Sequence, residues 1–367
     1  MEMIVKKSDL LREVAATIGA TERKTTIPIL ANLLFEADKF LLSITGTDLG
    51  ISMRTSCEAK VAKSGKCAVP ARKFYDYIKL LPEGDVTIKV LENHWIQVRS
   101  GRSSTKMVGM AAANYPALSP FPASSVAVGV PLLKHLIART MFAISKEESR
   151  YTLSGALLVI KPESVAMVAT DGHRLAYIEK SEEQLGCDKE RHLLIPLRGL
   201  SELMGLLQGV ESLDLGEDEA SIFFRVGSRL LTCRKLTGQF PAYQAVMPES
   251  LPTHVTLDRE ATMTALQRVA QFSDERSGAV RVSLGAGELT LAAESAESGS
   301  AEEPLSVEYA GNPLTVGFNH LYLLDFLKAA GVDAVTMGLK DSGSAMEMRP
   351  VEDTGFVFRY VVMPMRV

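Results

Sequence analysis

The chain contains 367 residues, of which 46% are hydrophobic and 23% are charged, a balance typical of a globular protein and not of a disordered, collagen-like or coiled-coil chain. The formal net charge of −4 gives no general indication of nucleic-acid binding, so such a role requires a local excess of basic residues. No apolar run approaches the roughly 18 residues of a transmembrane helix. The four cysteines, Cys57, Cys67, Cys187 and Cys233, show no CxxC spacing. We therefore expect a cytoplasmic protein without disulfides or zinc.

Along the chain, the predicted elements follow one order three times: a strand, a helix, several strands, a second helix and several strands. The first helix of each repeat is indicated by apolar residues at helical spacing, namely Leu10, Leu11, Val14, Ala15 and Ile18, then Leu132, Leu133, Leu136, Ile137 and Met141, then Met263, Leu266, Val269 and Ala270. The second helix is indicated in the same way by Phe74, Tyr77, Ile78 and Leu81, then Leu200, Leu203, Met204 and Leu207, then Leu321, Leu324 and Leu327.

Three further matches lie between and after these helices. The segment Ala31–Phe35 corresponds to Gly155–Val159 and Gly278–Val282, and the polar loop Thr47-Asp48 corresponds to Thr170-Asp171 and Ala293-Glu294. Each repeat ends on an aromatic and proline stretch, at Asn114–Pro116, Gln239–Pro241 and Tyr360–Pro364. Short strands and short connections favour antiparallel sheets. The chain is thus predicted to be α+β, with three domains, each with two helices packed on antiparallel sheets, over residues 1–123, 124–250 and 251–367.

Basic residues are concentrated in the predicted helices. The stretches 6–24, 71–81, 131–146, 196–208, 258–276 and 318–330 contain 16 basic and 10 acidic residues, whereas the remainder contains 24 basic and 34 acidic residues. Basic helices beside acidic sheets and loops suit phosphate binding. The alternative is that these side chains form ordinary solvated helix faces.

Catalytic motifs are missing from the sequence: it contains no GxxxxGK[ST], GxGxxG, HExxH or GxSxG. Asp171 beside His173 is the one candidate for a general base. The corresponding loop of the first repeat has Asp48-Leu49-Gly50 instead, so an Asp-Gly turn closing a hairpin is the alternative interpretation. We expect no catalytic residues, no metal and no cofactor.

The loop sequence ATDGHRLA at Ala169–Ala176 and the terminal sequence YVVMPMRV at Tyr360–Val367 resemble those of the bacterial DNA polymerase III beta subunit, the replicative sliding clamp. Thr45–Leu49, Val69–Phe74, Leu81–Gly84 and Val98–Arg102 also match. The resemblance implies a DNA-clamp fold whose two chains join head to tail into a ring. Such a ring encircles duplex DNA without reading its sequence, has no enzymatic activity and tethers the polymerase.

The resemblance also implies site residues and partners. The DNA-binding residues would be Lys24, Arg72, Glu147, Tyr151 and Thr152, of which Glu147 and Thr152 differ from the amide and the aromatic residue expected there. The dimer interface would place Thr105 and Met107 against Gln271 and Phe272. The pocket for partner peptides would consist of Arg150, Leu153, Thr170, Gly172, His173, Arg174, Leu175, Pro241, Val246, Val361, Val362, Met363, Pro364, Met365 and Arg366.

The partners implied for this pocket are the polymerase alpha subunit, the clamp loader, other polymerases and repair proteins, each through a short peptide, and no membrane. Two other hypotheses stay open at this point. One is a repeat scaffold that binds peptides without forming a ring, and the other is an enzyme centred on Asp171 and His173.

Overall fold

The computed structural model describes residues 1–22, 26–147, 149–181, 187 and 189–366. These residues form six α-helices and 25 β-strands. They are arranged in two compact units, one of residues 1–132 and 198–235 and the other of residues 133–197 and 236–367. Among the described helices, none has both the length and the apolar character that crossing a membrane requires.

The elements recur in the predicted order. The first repeat contains β1 (Glu2–Lys6), α1 (Lys7–Ile18), β2 (Asn32–Asp38), β3 (Leu41–Thr47), β4 (Ile51–Glu58), β5 (Lys60–Lys63), β6 (Gly65–Pro70), α2 (Ala71–Leu80), β7 (Asp85–Val90), β8 (Trp95–Ser100) and β9 (Ser103–Val108). The second contains β10 (Ser125–Gly129), α3 (Val130–Thr140), β11 (Gly155–Ile160), β12 (Ser164–Thr170), β13 (Arg174–Ser181), β14 (Arg191–Pro196), α4 (Leu197–Leu206), β15 (Ser212–Glu217), β16 (Ser221–Val226) and β17 (Arg229–Arg234). The third contains β18 (Thr253–Asp258), α5 (Arg259–Val269), β19 (Ala279–Gly285), β20 (Glu288–Ser295), β21 (Gly299–Ser306), β22 (Leu314–Asn319), α6 (His320–Ala330), β23 (Ala334–Leu339), β24 (Met346–Pro350) and β25 (Val357–Val362).

The strand pairing corrects the predicted alignment of the repeats by one residue. Asn32 pairs with Pro70 at the start of α2, as Gly155 pairs with Pro196 and Ala279 with Asn319. Asn32, and not Ala31, is therefore the counterpart of Gly155. By the same pairing, Thr47 corresponds to Glu294 and not to Ala293, because Leu34 pairs with Thr45 and Arg281 with Ala292.

The second helices show one departure from the predicted apolar face. Phe74 of α2 and Leu327 of α6 are fully buried, whereas Leu321 is 54% exposed. Leu321 occupies the second position of α6, as exposed Arg72 does in α2. The apolar character of Leu321 therefore does not show whether its side chain is buried or exposed.

In the first unit, an eight-stranded antiparallel sheet joins two repeats. Its strand order is β10-β15-β16-β17-β4-β3-β2-β6, and β17 of the second repeat pairs with β4 of the first. A five-stranded sheet, β5-β1-β7-β8-β9, completes the unit. Helices α1 and α2 pack over the core of the first repeat, where Phe35 and Phe74 meet edge to face with ring centroids 5.1 Å apart.

The second unit repeats this arrangement. Its eight-stranded sheet has the order β14-β11-β12-β13-β25-β24-β23-β18, and β25 of the third repeat pairs with β13 of the second. The other sheet has the order β21-β20-β19-β22. The backbone hydrogen bonds of each eight-stranded sheet therefore run without interruption across the junction between two repeats.

A buried carboxylate fastens the junction in the first unit. Glu13 of α1, whose side chain is 4% exposed, accepts two hydrogen bonds from Arg229 of β17, both of 3.0 Å. Thr55 of β4 and Arg12 also donate to the Glu13 carboxylate. Burial opposes ionisation, but these donors hold the pKa of Glu13 below its ordinary value of 4.5. The ion pair thus links the helix of one repeat to the sheet of the next.

Replacing Glu13 by Gln should lower the free energy of unfolding by about 3 kcal/mol, because the partly buried Arg229 would lose its counter-charge. Since the pKa of Glu13 is lowered by folding, its contribution is present above pH 4.5 and is lost as the pH falls through the lowered value. Urea denaturation at pH 7 and pH 3 measures both effects. Glu36→Gln, which removes the pair with exposed Lys66, should cost under about 1 kcal/mol. Equal losses for the two variants would contradict the role of Glu13.

Candidate functional site

A cavity of about 170 Å³ opens on the eight-stranded sheet of the second unit. Most of its lining is apolar, and it is formed by Leu153, Thr170, Gly172, His173, Arg174, Leu175, Pro241, Ala242, Tyr243, Val246, Val361 and Met363. Of the fifteen residues expected in a peptide pocket, ten therefore line one cavity. An apolar lining with a few polar groups at its rim is typical of a ligand-binding site.

The loop between β12 and β13 forms one wall. The Asp171 carboxylate accepts hydrogen bonds from the backbone N–H groups of His173 (2.9 Å) and Arg174 (3.1 Å). The Thr170 hydroxyl accepts from the Gly172 N–H (3.1 Å) and donates to the Arg174 carbonyl (2.6 Å). The Thr-Asp pair therefore fixes the loop with its own side chains.

This geometry argues against the enzyme hypothesis. The second oxygen of the Asp171 carboxylate accepts from the Arg174 Nε at 3.0 Å, and His173 contributes its backbone N–H, not its imidazole. An Asp that oriented a catalytic imidazole would contact a ring nitrogen. Across the described residues, no cluster of three or more His, Cys, Asp and Glu side chains is suited to hold a metal ion.

The Arg174 side chain stabilises the loop between β12 and β13 through contacts outside the cavity. Its guanidinium donates to Asp171, to the Asp325 carboxylate (2.7 Å) and to the Phe142 carbonyl (2.7 Å). It also stacks on the Tyr322 ring at 4.4 Å. Burial opposes its charge, but Tyr360, Asp325 and Asp171 raise the pKa of Arg174 above its ordinary value. The cation therefore ties the loop to α6 and to Phe142, contacts that the sequence did not reveal.

The C-terminal strand β25 adjoins this loop in the sheet, and its successive side chains alternate between the two faces. Val361 pairs with Leu175, and the Met363 N–H donates to the His173 carbonyl at 2.9 Å. Val362 is fully buried and does not line the cavity, because successive side chains of a strand point to opposite faces. Pro364, Met365 and Arg366 are also outside the lining, and the Met365 N–H donates to the Gly317 carbonyl.

The floor contains two residues that the sequence analysis missed, Ala242 and Tyr243. Tyr243 stacks on Tyr177 with ring centroids 5.8 Å apart, and burial raises the pKa of its hydroxyl. Both follow directly on the recurring Phe240-Pro241 ending. The sequence signal that could have identified Tyr243 is an aromatic residue two positions after Pro241.

The structure describes four of the five residues that are expected to bind DNA. Lys24 lies outside the described residues. Arg72 is exposed on α2, Tyr151 is 55% exposed, and Thr152 is half-buried beside it. The Glu147 carboxylate pairs with Arg150 at 2.9 Å, and Arg150 does not line the cavity.

The residues expected at a dimer interface lie on two elements. Thr105 and Met107 belong to β9, while Gln271 and Phe272 follow α5. Met107 is only 3% exposed and belongs to the core of its own repeat. Its side chain is therefore already packed within its own repeat.

Gly172 has a φ of +88°, in the region that disfavours L residues. Gly172→Ala should destabilise the protein by about 1–2 kcal/mol, and an added Cβ would lie 2.6 Å from the Arg150 guanidinium. Gly205→Ala in α4 is the matched control, because an added Cβ meets nothing within 4 Å, and it should stabilise by about 0.5–1 kcal/mol. Chemical denaturation measures both changes. Stabilisation by both substitutions would show that the loop does not need the positive φ.

The sequence and structure match known proteins along the whole chain. Models of the DNA polymerase III beta subunit match as the N-terminal domain over residues 1–119, the central domain over 127–242 and the C-terminal domain over 244–366. A beta sliding clamp from Pseudomonas putida is 35% identical, with both chains fully covered. The crystal structure of the DNA polymerase III subunit beta from Pseudomonas aeruginosa superimposes with a TM-score of 0.94 at 32% identity and full coverage of both chains. A sliding clamp from the same organism bound to griselimycin gives a TM-score of 0.93 at 32% identity, also over both full chains. Three domain matches in sequence, on a fold with three matching repeats, place this chain in the DNA polymerase III beta subunit family, the bacterial beta sliding clamps.

Proposed function

We propose that two copies of this chain close head to tail around duplex DNA and hold the replicative polymerase on it. The observation that carries this proposal is the pairing of strands at the repeat junctions. In the described residues, β9 and β21 are edge strands with a partner on one side only. Their counterparts in the other repeats are paired on both sides.

The counterparts follow from the order of the hairpins. Strand β9 is the last of the first repeat, as β17 and β25 are the last of the second and third. Strand β21 follows β20, as β4 follows β3 and β13 follows β12. Since β17 pairs with β4 and β25 with β13, β9 is built to pair with β21 of another copy. Unpaired backbone groups at an edge favour such an addition.

The internal junction supplies a register for this pairing. Leu231 lies opposite Met53 and Leu230 opposite Arg54, positions that correspond to Thr105 with Ala301 and Ser104 with Glu302. The same register sets Met107 opposite Gly299, which lies beside Phe272. This supports the proposed interface of Thr105 and Met107 with Gln271 and Phe272.

Exposed Ser104 tests the register. Ser104→Glu would place a carboxylate opposite Glu302 at both interfaces of a ring, so the dimer dissociation constant should rise about tenfold, at up to about 1 kcal/mol for each like-charge pair. Ser104→Lys, the matched variant, should lower it. Sedimentation velocity over a dilution series measures both constants. A shift of both variants in the same direction would contradict the pairing of β9 with β21.

The helices supply the proposed DNA-facing charge. As observed, they contain eleven Lys and Arg against six Asp and Glu. We propose that Lys24, Arg72, Glu147, Tyr151 and Thr152 meet the DNA backbone, with the pairing of Glu147 to Arg150 reducing repulsion of phosphate. A closed ring needs no base contact, because its attachment is topological and weak phosphate contacts let it slide. No catalytic step is required.

Topological attachment predicts a dependence on DNA ends. Clamp loaded by its clamp loader onto nicked circular DNA should stay bound during gel filtration, and cutting the circle once should release most of it. Blocking the ends of the cut DNA with bound protein should restore retention. Equal retention on open linear and circular DNA would show that direct contacts hold the protein, and would overturn the ring.

The apolar cavity of the second unit is the proposed docking site for partner peptides. The partners would be the polymerase alpha subunit, the clamp loader, other polymerases and repair proteins. Flexible Met363 and aromatic Tyr243 suit apolar side chains of varied shape, and a related clamp binds griselimycin. The remaining expected residues, Arg150, Val362, Pro364, Met365 and Arg366, would act by supporting or flanking the cavity.

We further propose that the domains span residues 1–123, 124–250 and 251–367, since residues 119–124 and 248–252 contain no helix or strand. All four cysteines are free thiols, which suits a reducing compartment. The proposed location is therefore the cytoplasm, where bacterial DNA is replicated.

A further inference from the structure

A second cavity, of about 220 Å³, lies in the first unit at the junction of β4 and β17. It is lined by Thr47, Leu49, Gly50, Ser52, Pro116, Ala117, Leu118, Ser119, Ala220, Ser221, Thr232 and Arg234. We call it the first groove, and the apolar cavity of the second unit the second groove.

The two grooves occupy equivalent positions in their sheets. In the first groove, Thr47 pairs with Ser52 across the hairpin, and Ser52 pairs with Thr232 across the junction. In the second groove, Thr170 pairs with Leu175, and Leu175 pairs with Val361. In each groove, these three paired residues lie side by side on three neighbouring strands.

The loops beside these rows agree in detail. The Asp48 carboxylate accepts from the Gly50 and Ile51 N–H groups at 2.8 and 2.7 Å, as Asp171 accepts from the two residues at its own corresponding positions. The Arg234 N–H donates to the Gly50 carbonyl at 2.8 Å, as the Met363 N–H donates to the His173 carbonyl at 2.9 Å. The segment Pro116–Leu118 lies where Pro241–Tyr243 forms the floor of the second groove. The first groove therefore has the backbone frame of the proposed peptide site.

The side chains on this frame are different. Ser52 replaces Leu175, Thr232 replaces Val361, and Arg234 replaces Met363. Ser119 and Ser221 add further hydroxyl groups to the lining. The first groove thus offers hydrogen-bonding groups where the second groove offers apolar surface.

Arg234 is the one charged residue of this lining. Its side chain is exposed, and within the described part of the chain no carboxylate forms an ion pair with it. Asp48, the acidic residue of the adjoining loop, pairs instead with Arg198, and neighbouring Lys235 pairs with Glu217 at 2.6 Å. The guanidinium of Arg234 is therefore available to an anion, and its forked donors fit a carboxylate.

We propose that the first groove is a second docking site, which takes an extended peptide carrying an Asp or Glu side chain that Arg234 binds. The hydroxyl group of half-buried Thr232 then hydrogen-bonds a polar group of the peptide. The proposal rests on the proposed function in one respect: it takes the second groove as a template for peptide binding. The occupants differ, since the first groove selects a carboxylate and the second selects apolar side chains.

Methyl NMR of the full-length protein tests this assignment, because Ala117 and Ala220 report on the first groove and Ala242 on the second. The probe is a library of acetylated, amidated hexapeptides with Glu fixed at each position in turn, and a matching library with Gln in its place. The Glu library should shift the Ala117 and Ala220 methyl signals at concentrations at least tenfold below those needed with the Gln library. Arg234→Met, which installs the second-groove residue, should abolish that preference.

Arg281→Met is the matched control, because Arg281 is exposed on β19 and outside both grooves, and it should leave the preference unchanged. The proposal is overturned if neither library shifts Ala117 and Ala220, if the Glu preference survives in Arg234→Met, or if both Arg variants reduce it equally. Shifts at Ala242 alone would overturn this proposal and leave the proposed function intact. Shifts at Ala117 and Ala220 without Ala242 would instead support the first groove and count against the second as a peptide site.

Discussion

The need to pair the edges of β-sheets governs this structure. A repeat of this size ends in strands whose backbone N–H and C=O groups must find partners. Within the chain, β4 with β17 and β13 with β25 satisfy one edge of each neighbouring repeat. The two grooves lie where those pairings bring a hairpin loop against the last strand of the next repeat. The same requirement leaves β9 and β21 as the edges on which the proposed dimer is built.

Side-chain chemistry differs at each junction while the backbone pairing is shared. Glu13 and Arg229 form a buried ion pair in the first unit. At the corresponding positions of the second unit stand Leu136 and Phe358, both buried. The grooves differ in the same way, one lined by hydroxyl groups and an arginine and the other by apolar residues. Three repeats of one fold have thus become chemically distinct, so a partner can distinguish one junction from the other.

Much of this architecture could be predicted from periodicity. The order of helices and strands and the three repeats depend on local patterns that survive in each copy, and the Thr-Asp loops on a pattern that survives in the first two. Exact register depends on tertiary pairing, and the predicted alignment at Ala31 and Ala293 was accordingly wrong by one residue. Leu321 fits the apolar spacing of the second helix but is exposed, because spacing alone does not show which side of a helix meets a sheet.

The candidate site could be predicted where a recognisable sequence motif lies at the ends of two strands, as at Thr170–Leu175. Val362 was included because the resemblance covers the whole C-terminal run, and it does not distinguish the two faces of a strand. Asp325 and Phe142 contribute through contacts distant in sequence, which no local pattern encodes, whereas Tyr243 closely follows the recurring Phe240-Pro241 ending. The resemblance supplied the pocket's location, and the structure shows which side chains form its surface.

The anchoring of Arg174 has a consequence for how partners exchange. Its donors are already satisfied by Asp171, Asp325 and the Phe142 carbonyl, so the groove wall is formed before any peptide arrives. For the proposed peptide site, little ordering of the protein would then remain to slow association, and different peptides would reach the groove at similar rates. Competing partners would consequently differ chiefly in residence time. The dissociation rate of the bound partner would then determine when the next one binds to the clamp.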